Sequence, residues 1–392
     1  MRLVLSTLCF LLAIAAPSYA QGEKAKTNTL TAKEIADGWI LLFDGETTFG
    51  WEVKGKTRVA DGAITLPDFD AEITHSNPWR DLELRFESRA KPGKNPRLGG
   101  GGIGLIGTGA AQGLPRDNKW HDCHCIFQTA PNPPSFSLSI SVDGVVGTNA
   151  KNIEANLAEV RPTIFGPQDG SDLELRNIKL RPLNTKSIFN AKDLDGWRVF
   201  SGDRYKSIFT VKDAAINVKD GPGDLQTVGK YKDFILQFDC ISNGKHLNSG
   251  IFFRCRDNEY QNGYEAQIRN EFKAEPQKYL VEDYDPKTNK LIGKKEVLSP
   301  AFDFGTGAIY RRVPARKQMS KDNEWFTMTV LAHGNHLATW VNGVQQTDWT
   351  DNRPKSDNAR TGCKLDAGHI SIQGHDPTTD LSFKNFRIAE FK

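Results

Sequence analysis

The sequence predicts an all-β protein made of two tandem antiparallel β-sandwiches, and three observations lead to that fold class. Short runs of alternating apolar and polar residues are separated by turns rich in Gly, Asn, Asp and Pro. Helical periodicity is almost absent beyond residue 38. Several segments of the first half return in the second half, and 392 residues are enough for two domains that each have a core of their own.

Residues 1–20 have the pattern of a secretory signal peptide. Arg2 precedes an apolar run over residues 3–16, and the small-x-small sequence at residues 18–20 forms a cleavage site. No other apolar run is long enough to span a membrane, and Cys9 lies inside this run rather than at a lipid-anchor position. We therefore expect the mature protein to be exported, either secreted or periplasmic, without a membrane span.

Residues 21–37 form an N-terminal segment ahead of the first sandwich. Within it, the sequence predicts one short helix over residues 31–38, with Thr31 as N-cap and Glu34 completing a capping box. The formal net charge of +3 is close to balance, so the composition gives no reason to expect a nucleic-acid partner.

Removal of Cys9 with the signal peptide leaves an odd number of cysteines, which allows one disulfide but not a disulfide scaffold. Cys123 and Cys125 flank His124, and His121 lies nearby, as in some zinc sites. The spacing differs from a C-x-x-C knuckle and no second pair follows, so we interpret these cysteines as alternating positions of a strand.

The repeated segments divide the chain into two copies of one domain, at residues 38–183 and 187–392, joined near residues 181–186. The period is far too long for a solenoid. The matching pairs are residues 42–51 with 188–197, 81–86 with 233–238, 118–120 with 323–325, 142–144 with 341–343, and 172–180 with 380–388.

The two copies share scaffold residues but differ in polar residues. The long stretch at residues 256–322 shrinks in the first copy to little more than residues 107–117. Three polar residues of the second copy align with apolar residues of the first, namely His375 with Pro167, Gln373 with Phe165, and Arg254 with Ile106. This difference predicts that the second copy is the active one and that the first is degenerate.

Two segments of the second copy, residues 248–256 and 263–269, alternate like strands. Near the end of the chain, Gln373 and His375 share a strand face. We predict that the polar side chains of the three segments converge on one concave face; a solvated face with cross-strand ion pairs is the alternative. The sets that share a face are Phe252, Arg254 and Arg256 on the first strand, and Glu265, Gln267 and Arg269 on the second.

Motifs spread from residue 189 to the C-terminus are specific when taken together: Leu194-Asp-Gly-Trp197, Asn248-Ser-Gly-Ile251 with Arg254, Gly263-Tyr-Glu-Ala-Gln-Ile268, Thr306-Gly-Ala-Ile-Tyr310, Asn323-Glu-Trp325, Val341-Asn-Gly343, Ile372-Gln-Gly-His375 and Phe383-Lys-Asn-Phe-Arg387. With these motifs the sequence resembles the 3-keto-disaccharide hydrolase family, which is related to concanavalin A-like sandwiches. Where many members have Leu-Asp, this chain has Arg269-Asn270, so an acid is missing there. The first copy keeps only residues 43–45, residues 50–51 and the terminal strands.

The resemblance implies a jelly-roll sandwich, export, and action on oxidised glycosides or oligosaccharides. A ketone at sugar C3 acidifies the hydrogen at C2, so cleavage at C1 needs one base, stabilisation of the enolate and an acid for the leaving oxygen. The paired carboxylates of ordinary glycosidases are not needed. Glu265 has Gln267, not a second acid, two positions along. Both elimination and hydrolysis remain open as the net outcome.

Three residues are candidates for the chemistry. Glu265 is our first choice for the base or a metal ligand; its alternative is an ion pair with Arg254 or Arg256. His375 is a second candidate for base or ligand, with a loop histidine as the alternative. Arg254 would stabilise the enolate charge. A divalent metal held by Glu265 and His375 is a hypothesis, and no other cofactor is predicted.

The remaining candidates would bind the substrate: Gln267, Arg256, Gln373, Tyr310 and Asn248. Tyr310 would also donate to the leaving oxygen, unless it is an ordinary sheet aromatic, and Asn248 fits a turn better than a substrate contact.

The rival functions are a non-catalytic, lectin-like carbohydrate-binding protein and an extracellular scaffold that binds a partner through its first copy. Trp325, Trp340 and Trp349 are available to stack on sugar rings. A lectin has less use for an acid, two arginines and a histidine on one face, and this favours an enzyme.

Overall fold

The computed structural model describes residues 26–391 except residues 69, 93–101, 107–110, 156, 158, 201 and 258. The predicted signal peptide lies outside the described residues. The described chain is almost entirely β-structure in two sets of antiparallel sheets, which confirms the predicted fold class. Among the described residues we find no helix with the length and hydropathy that crossing a bilayer requires.

The predicted short helix is α1 (Ala32–Asp37). The Thr31 hydroxyl accepts a hydrogen bond from the Glu34 amide at 3.2 Å, and the Glu34 carboxylate accepts one from the Thr31 amide at 2.8 Å. Both halves of the capping box are therefore present, as predicted. The helix ends at Gly38, whose φ of 91° is the left-handed conformation that a residue without a side chain adopts at little cost.

The strands described in the first sandwich are β1 (Ile40–Leu41), β2 (Trp51–Lys54), β3 (Arg58–Ala60), β4 (Ala63–Leu66), β5 (Glu72–His75), β6 (Leu82–Ala90), β7 (Gly102–Ile106), β8 (Ala111–Gly113), β9 (His121–Pro131), β10 (Pro134–Val142), β11 (Val145–Glu154), β12 (Arg161–Phe165) and β13 (Leu173–Pro182). Its larger sheet has the order β11-β10-β9-β6-β13-β4-β3, with β1 also paired to β13. Its smaller sheet has the order β2-β5-β12-β7-β8.

The strands described in the second sandwich are β14 (Lys186–Ser187), β15 (Trp197–Val199), β16 (Ile208–Lys212), β17 (Ala215–Lys219), β18 (Gly223–Thr227), β19 (Phe234–Ser242), β20 (Ser249–Cys255), β21 (Tyr264–Ile268), β22 (Phe272–Tyr284), β23 (Leu291–Ala301), β24 (Phe326–His333), β25 (His336–Val341), β26 (Val344–Thr350), β27 (His369–Gly374) and β28 (Asp380–Glu390). Its larger sheet has the order β16-β17-β28-β19-β24-β25-β26, with β14 also on β28. Its smaller sheet has the order β15-β18-β27-β20-β21, and β22 and β23 form a separate hairpin.

The order of strands along the sheets is the same in both sandwiches once the larger sheet is read from its opposite edge. A bulge with a left-handed asparagine also recurs, at Asn177 in β13 and at Asn385 in β28. Asparagine tolerates this conformation better than most residues that have a side chain. The long hairpin β22–β23 has no counterpart among the strands described in the first sandwich.

The two sandwiches are in direct apolar contact. The core of the first sandwich continues into side chains of the second, including Trp340, Leu331 and Ile235. The rings of Trp79 and Trp340 lie 5.9 Å apart, and Trp340 Nε1 donates to the carbonyl of Leu41 at 3.3 Å. Because these side chains are fully or almost fully buried, the contact is part of one core and is unlike a wet surface contact.

Cys123 and Cys125 lie on β9, and both side chains point into the core, as the predicted strand alternation requires. The pKa of each thiol is raised to about 12 by burial, so neither is a thiolate at neutral pH. All the cysteines among the described residues are free and buried, so the disulfide that an odd count allowed is not formed there.

Candidate active site

A cavity of about 300 Å³ lies over the smaller sheet of the second sandwich, on the face that points away from the core. Six of the predicted site residues line it: Asn248, Glu265, Gln267, Tyr310, Gln373 and His375. The residues lining it that were not predicted as site residues include Phe252, Gln261, Arg311, Arg312 and Arg360.

Strand alternation explains why these side chains meet. On β21, Tyr264, Ala266 and Ile268 point into the core, so Glu265 and Gln267 point out of it into the cavity. The register pairs Phe252 of β20 with Glu265 of β21. The same parity places Asp224, Gln226, Ser371 and Gln373 on the cavity side of β18 and β27, with Asp224 opposite Gln373 and Gln226 opposite Ser371.

Gly250 makes room for the Glu265 side chain. This glycine lies on β20, the strand next to the edge strand β21, and a Cβ atom placed on it would come within 2.6 Å of Glu265 Oε1. The carboxyl therefore lies across the backbone of the neighbouring strand. Gln267 is the register partner of Gly250, so the carboxyl and the Gln267 amide are close neighbours on the cavity floor.

The surroundings of Glu265 favour its protonated form. Burial raises the pKa of this carboxyl from 4.5 to about 8, and the negative charges of Asp303 and Asp224 act in the same direction. The positive charges of Arg360 and Arg311 lower it in part. A carboxyl with a pKa near neutrality changes its protonation state under working conditions, which suits an acid–base catalyst.

Asp224 is a second carboxyl on the same face of the sheet, beside the cavity, and its position was not predicted. It is fully buried on β18, and burial raises its pKa to about 7. One of its oxygens accepts a hydrogen bond from the Gln261 amide at 2.8 Å. Asp224 does not line the cavity, so among the described lining residues Glu265 is the only carboxyl.

Three amide oxygens on the cavity wall are buried without a hydrogen-bond partner among the described residues: Asn248 Oδ1, Gln267 Oε1 and Gln373 Oε1. An unpaired buried acceptor costs about 1–3 kcal/mol, so proteins seldom keep one without a use. Hydroxyl groups of a sugar are donors of the right size to satisfy these oxygens.

His375 follows β27 at the mouth of the cavity. Its Nδ1 lies 2.7 Å from Asp376 Oδ2, and its Nε2 lies 3.3 Å from Asn248 Nδ2. The contact with Asp376 fixes the orientation of the ring, and Nε2 accepts a hydrogen bond from the Asn248 side-chain amide. His375 and Glu265 thus line the same cavity, as we expected from the alternation of side chains along their strands.

Tyr310 and Arg311 lie beside Glu265 because residues 307–310 follow the free edge of β21. The Tyr310 amide donates to the Glu265 carbonyl at 2.9 Å, and the Tyr310 hydroxyl donates to Asp303 Oδ1 at 3.3 Å. Arg311 is held at a φ of 60°, a strained conformation for a residue with a long side chain. Strain of this kind is often retained at binding sites.

Arg360 is positioned by a rigid loop. The guanidinium of Arg353 binds both carboxylate oxygens of Asp351 at 2.8 Å and donates to the Ala359 carbonyl at 2.9 Å. Asp351 also accepts from the Tyr264 hydroxyl at 2.6 Å. Because Tyr264 is the chain neighbour of Glu265, this network fixes the loop that carries Arg360 relative to the carboxyl.

Arg254 does not line the cavity, which corrects the expectation that its guanidinium shares the face of Glu265. Its φ of 53° belongs to a bulge where β20 shifts register against β27, so the side chain leaves the cavity face. The guanidinium is completely buried and donates to three carbonyls and to Asp233, at 2.6 to 2.9 Å. Its place in the fold is that of a structural cross-link.

Arg256 is also placed elsewhere, and the expectation that it binds substrate in this cavity is wrong. Its side chain pairs with Glu259 at 2.9 Å and with Asp357 at 3.3 Å, and it lines a separate depression. The ion pair that was the alternative for Glu265 is excluded by the same contacts, because Arg254 and Arg256 have other carboxylate partners.

Within the part of the chain that the structure describes, no group of three or more His, Cys, Asp or Glu side chains could hold a metal ion. Glu265 and His375 remain two possible ligands on one cavity. The metal hypothesis therefore finds two ligands, fewer than protein sites for divalent ions normally use.

Comparison with known proteins gives relatives for the second sandwich. A family model described as a 3-keto-alpha-glucoside-1,2-lyase-like domain matches residues 184–389. A 3-keto-disaccharide hydrolase from Bacteroides thetaiotaomicron is 25% identical over 232 residues, which are 52% of this chain and 77% of that protein.

Two solved structures are also similar. A candidate glycosyl hydrolase from Parabacteroides distasonis has 23% identity and a TM-score of 0.39, and the match covers 53% of this chain and 93% of that one. The carbohydrate-binding module CBM66 from Bacillus subtilis has 13% identity and a TM-score of 0.30, with 49% of this chain and 93% of that one covered.

Proposed function

The chain belongs to the family of 3-keto-alpha-glucoside-1,2-lyase-like domains, and we propose that its second sandwich cleaves 3-keto-glycosides in the cavity around Glu265. The observation that carries the proposal is one carboxyl with a pKa of about 8 on a floor of unpaired amide oxygens. Ordinary glycosidases need two opposed carboxyl groups on the scissile bond, whereas a 3-keto-glycoside needs one base.

The reaction begins with removal of the C2 proton by the Glu265 carboxylate. The C2–H electron pair forms the enolate between C2 and C3, and the C3 oxygen becomes negatively charged. Arg360, which acts electrostatically on the Glu265 carboxyl, is the cation best placed to stabilise that charge, and Arg311 assists it. This is the role that sequence reasoning assigned to Arg254.

In the second step the enolate reforms the C3 ketone, a double bond forms between C1 and C2, and the bond from C1 to the aglycone oxygen breaks. In its doubly protonated form His375 donates the Nε2 proton to the leaving oxygen, which takes the place of the Asn248 amide nitrogen beside Nε2, and the proton that Glu265 accepted restores it. The products are a 1,2-unsaturated 3-keto sugar and the free aglycone. Addition of water across the new double bond would convert this elimination into net hydrolysis.

Gln267, Gln373 and Asn248 are proposed to hold the sugar hydroxyls through their unpaired oxygens. The test of the function is incubation of the purified full-length chain with a 3-keto-disaccharide and with its unoxidised parent, followed by measurement of the released sugar. We expect release only from the 3-keto compound, since the parent has no ketone to acidify its C2 hydrogen. Equal release from both would point to ordinary glycosidase chemistry.

A second candidate function is carbohydrate binding without turnover. The unpaired amide oxygens favour it as well, because they would bind hydroxyls whether or not a reaction follows. The two functions separate in a single experiment with a 3-keto-disaccharide. Calorimetric binding without consumption of the ligand would support the binding protein, and consumption would support the enzyme.

We also propose that the protein acts outside the cytoplasm, from the signal-peptide pattern at residues 1–20. Expression with the complete sequence, followed by mass spectrometry of the exported protein, should give an N-terminus at Gln21. Retention of the full-length chain in the cytoplasm would contradict this.

A further inference from the structure

Asp303 lies in the loop between β23 and residues 307–310, and it contacts three residues of the cavity wall. The Tyr310 hydroxyl donates to its Oδ1 at 3.3 Å, and the side-chain nitrogen of Asn248 lies 3.5 Å from its Oδ2. The backbone carbonyl of Asp303 accepts a hydrogen bond from Gln267 Nε2 at 3.2 Å. Asp303 is not itself among the described lining residues, so it acts on the cavity through these three neighbours.

The loop that carries Asp303 is anchored on both sides of this residue. The Phe302 amide donates to the carbonyl of Glu271 at 2.8 Å, and the Phe304 amide donates to the Tyr279 hydroxyl at 3.2 Å. Asp303 and Phe304 have φ values of 46° and 68°, in the left-handed region that few residues with a side chain adopt. Strain of this kind is often retained where a side chain must be held at one place in a functional site.

The contacts of Asp303 decide which atoms of the wall face the cavity. A carboxylate only accepts hydrogen bonds, so a partner has to turn a donor toward it. Tyr310 directs its only hydroxyl proton to Asp303, which leaves its oxygen as an acceptor. Asn248 turns its amino group toward Asp303 and His375, and its Oδ1 is left unpaired. The Asp303 carbonyl orients Gln267 in the same way, and its Oε1 is left unpaired.

We propose that Asp303 is a positioning residue that makes this part of the cavity wall an array of hydrogen-bond acceptors, so that a ligand has to present donors to it. The inference rests on the proposed function for the ligand, a 3-keto-glycoside. It also changes the role of Tyr310. Because its proton is directed to Asp303, the hydroxyl does not serve as the acid for the leaving oxygen and accepts a hydrogen bond from the ligand instead.

The test variant is Asp303→Asn, because asparagine keeps the shape of the side chain and tolerates the left-handed conformation. Its amide offers one acceptor and one donor in place of two acceptors, so either Tyr310 or Asn248 has to reverse and turn a donor toward the ligand. Asp213→Asn is the matched control, since Asp213 also has a left-handed φ, of 53°, and is exposed in the turn between β16 and β17. Each full-length chain also carries Glu265→Gln, which prevents turnover during the binding measurement.

The ligands are methyl 3-keto-glucoside and its 4-deoxy-4-fluoro and 6-deoxy-6-fluoro analogues, and the readout is Kd by calorimetry. Fluorine cannot donate, so it leaves an acceptor of the wall unpaired. We expect at least one fluoro analogue to bind about tenfold more weakly than the hydroxyl compound, both in Glu265→Gln alone and with Asp213→Asn added. With Asp303→Asn added, this ratio should fall to about threefold or less, because a donor now faces the ligand.

An unchanged ratio with Asp303→Asn overturns the inference, even if all three ligands bind more weakly, because a merely structural role would lower affinity without changing the preference for a donor. Equal binding of the hydroxyl and fluoro compounds to Glu265→Gln alone also overturns it, and so does the absence of binding.

The proposed reaction fails in a different way, since turnover is measured on the chain that keeps Glu265. Absence of turnover, together with a ratio that is lost with Asp303→Asn, would reject the reaction and retain Asp303 as a positioning residue of a binding protein. Turnover together with a ratio that Asp303→Asn preserves would reject the inference and retain the reaction.

Discussion

The carboxyl of Glu265 lies across the backbone of Gly250 on the neighbouring strand, at a place where a Cβ atom would stand 2.6 Å from Oε1. The strand partner of this glycine is Gln267. A glycine inside a strand usually weakens the sheet. Here the absent side chain gives the carboxyl its position on the cavity floor.

Gly250→Ala should therefore displace the Glu265 carboxyl without unfolding the protein, because the end of a flexible side chain can move away from the new methyl group. We expect kcat/KM on a 3-keto-disaccharide to fall by about 10- to 100-fold, as misplacement by about 1 Å commonly does, with little change in Tm. The control combines Gly250→Ala with Glu265→Gln. If the glycine acts through the carboxyl, the double variant is no slower than Glu265→Gln alone.

Glu265→Gln keeps the shape of the side chain but cannot accept the C2 proton. General base catalysis is typically worth about 10²–10⁴-fold, so kcat should fall in that range. Glu296→Gln, on the exposed hairpin, is the matched control and should be fully active. With C2-deuterated substrate the original chain should react more slowly if proton removal limits the rate.

Undiminished activity of Glu265→Gln would remove this residue from the mechanism. Activity that survives would then be assigned to other groups of the same cavity, such as His375.

The dependence of kcat/KM on pH follows from the raised pKa of Glu265. Its base form is the minor form below a pKa of about 8, so kcat/KM should rise with pH and level off above that value. The rise should approach about tenfold per pH unit on the acidic side. A profile that instead falls as pH passes through 8 would mean that the protonated carboxyl is the reactive form.

The folding stability of the protein should also depend on the protonation of Glu265, but it should fall as pH rises, whereas kcat/KM should rise. Below pH 4.5 Glu265 is protonated in both the folded and the unfolded chain. Between pH 4.5 and about 8 the unfolded chain releases this proton more readily than the folded one, so the stabilisation that the protonated carboxyl contributes is lost as pH rises.

Glu265→Gln has no such proton, so its Tm relative to the original chain should increase between pH 5 and pH 9. Thermal unfolding at these two pH values measures the difference. A constant Tm difference would mean that the pKa of Glu265 is not raised in the folded protein.

Substitution of Arg254 should lower the stability of the protein, whereas substitution of Arg360 should lower its activity. Arg254 is fully buried and bonded to Asp233, so Arg254→Ala leaves that carboxylate without its partner and should cost about 3–5 kcal/mol of stability. Arg360 is exposed at the cavity, so Arg360→Ala should keep the Tm and lower kcat about 10²–10³-fold, as loss of one group that stabilises transition-state charge does. A folded, stable Arg254→Ala with impaired kcat would restore Arg254 to the site.

Strand parity was sufficient to predict Glu265, Gln267 and Gln373 because side chains alternate strictly along a regular strand. It failed for Arg254 because the extra residue of a β-bulge changes which side chains face the cavity from that point on. No local sequence motif marks the bulge. Arg311 and Arg360 were missed for another reason. Both lie on turns, where no periodicity links sequence position to direction, and tertiary contacts alone bring them to the carboxyl.

The apolar contact between Trp79 and Trp340 has a consequence for the effect of mutations in the first sandwich. Substitutions in the first sandwich that open the joint core would expose Trp340 and its neighbours on the second sandwich to water. The first sandwich thus covers an apolar surface of the second. Excision of the first sandwich would leave the second sandwich with this apolar surface exposed, and such a surface promotes aggregation.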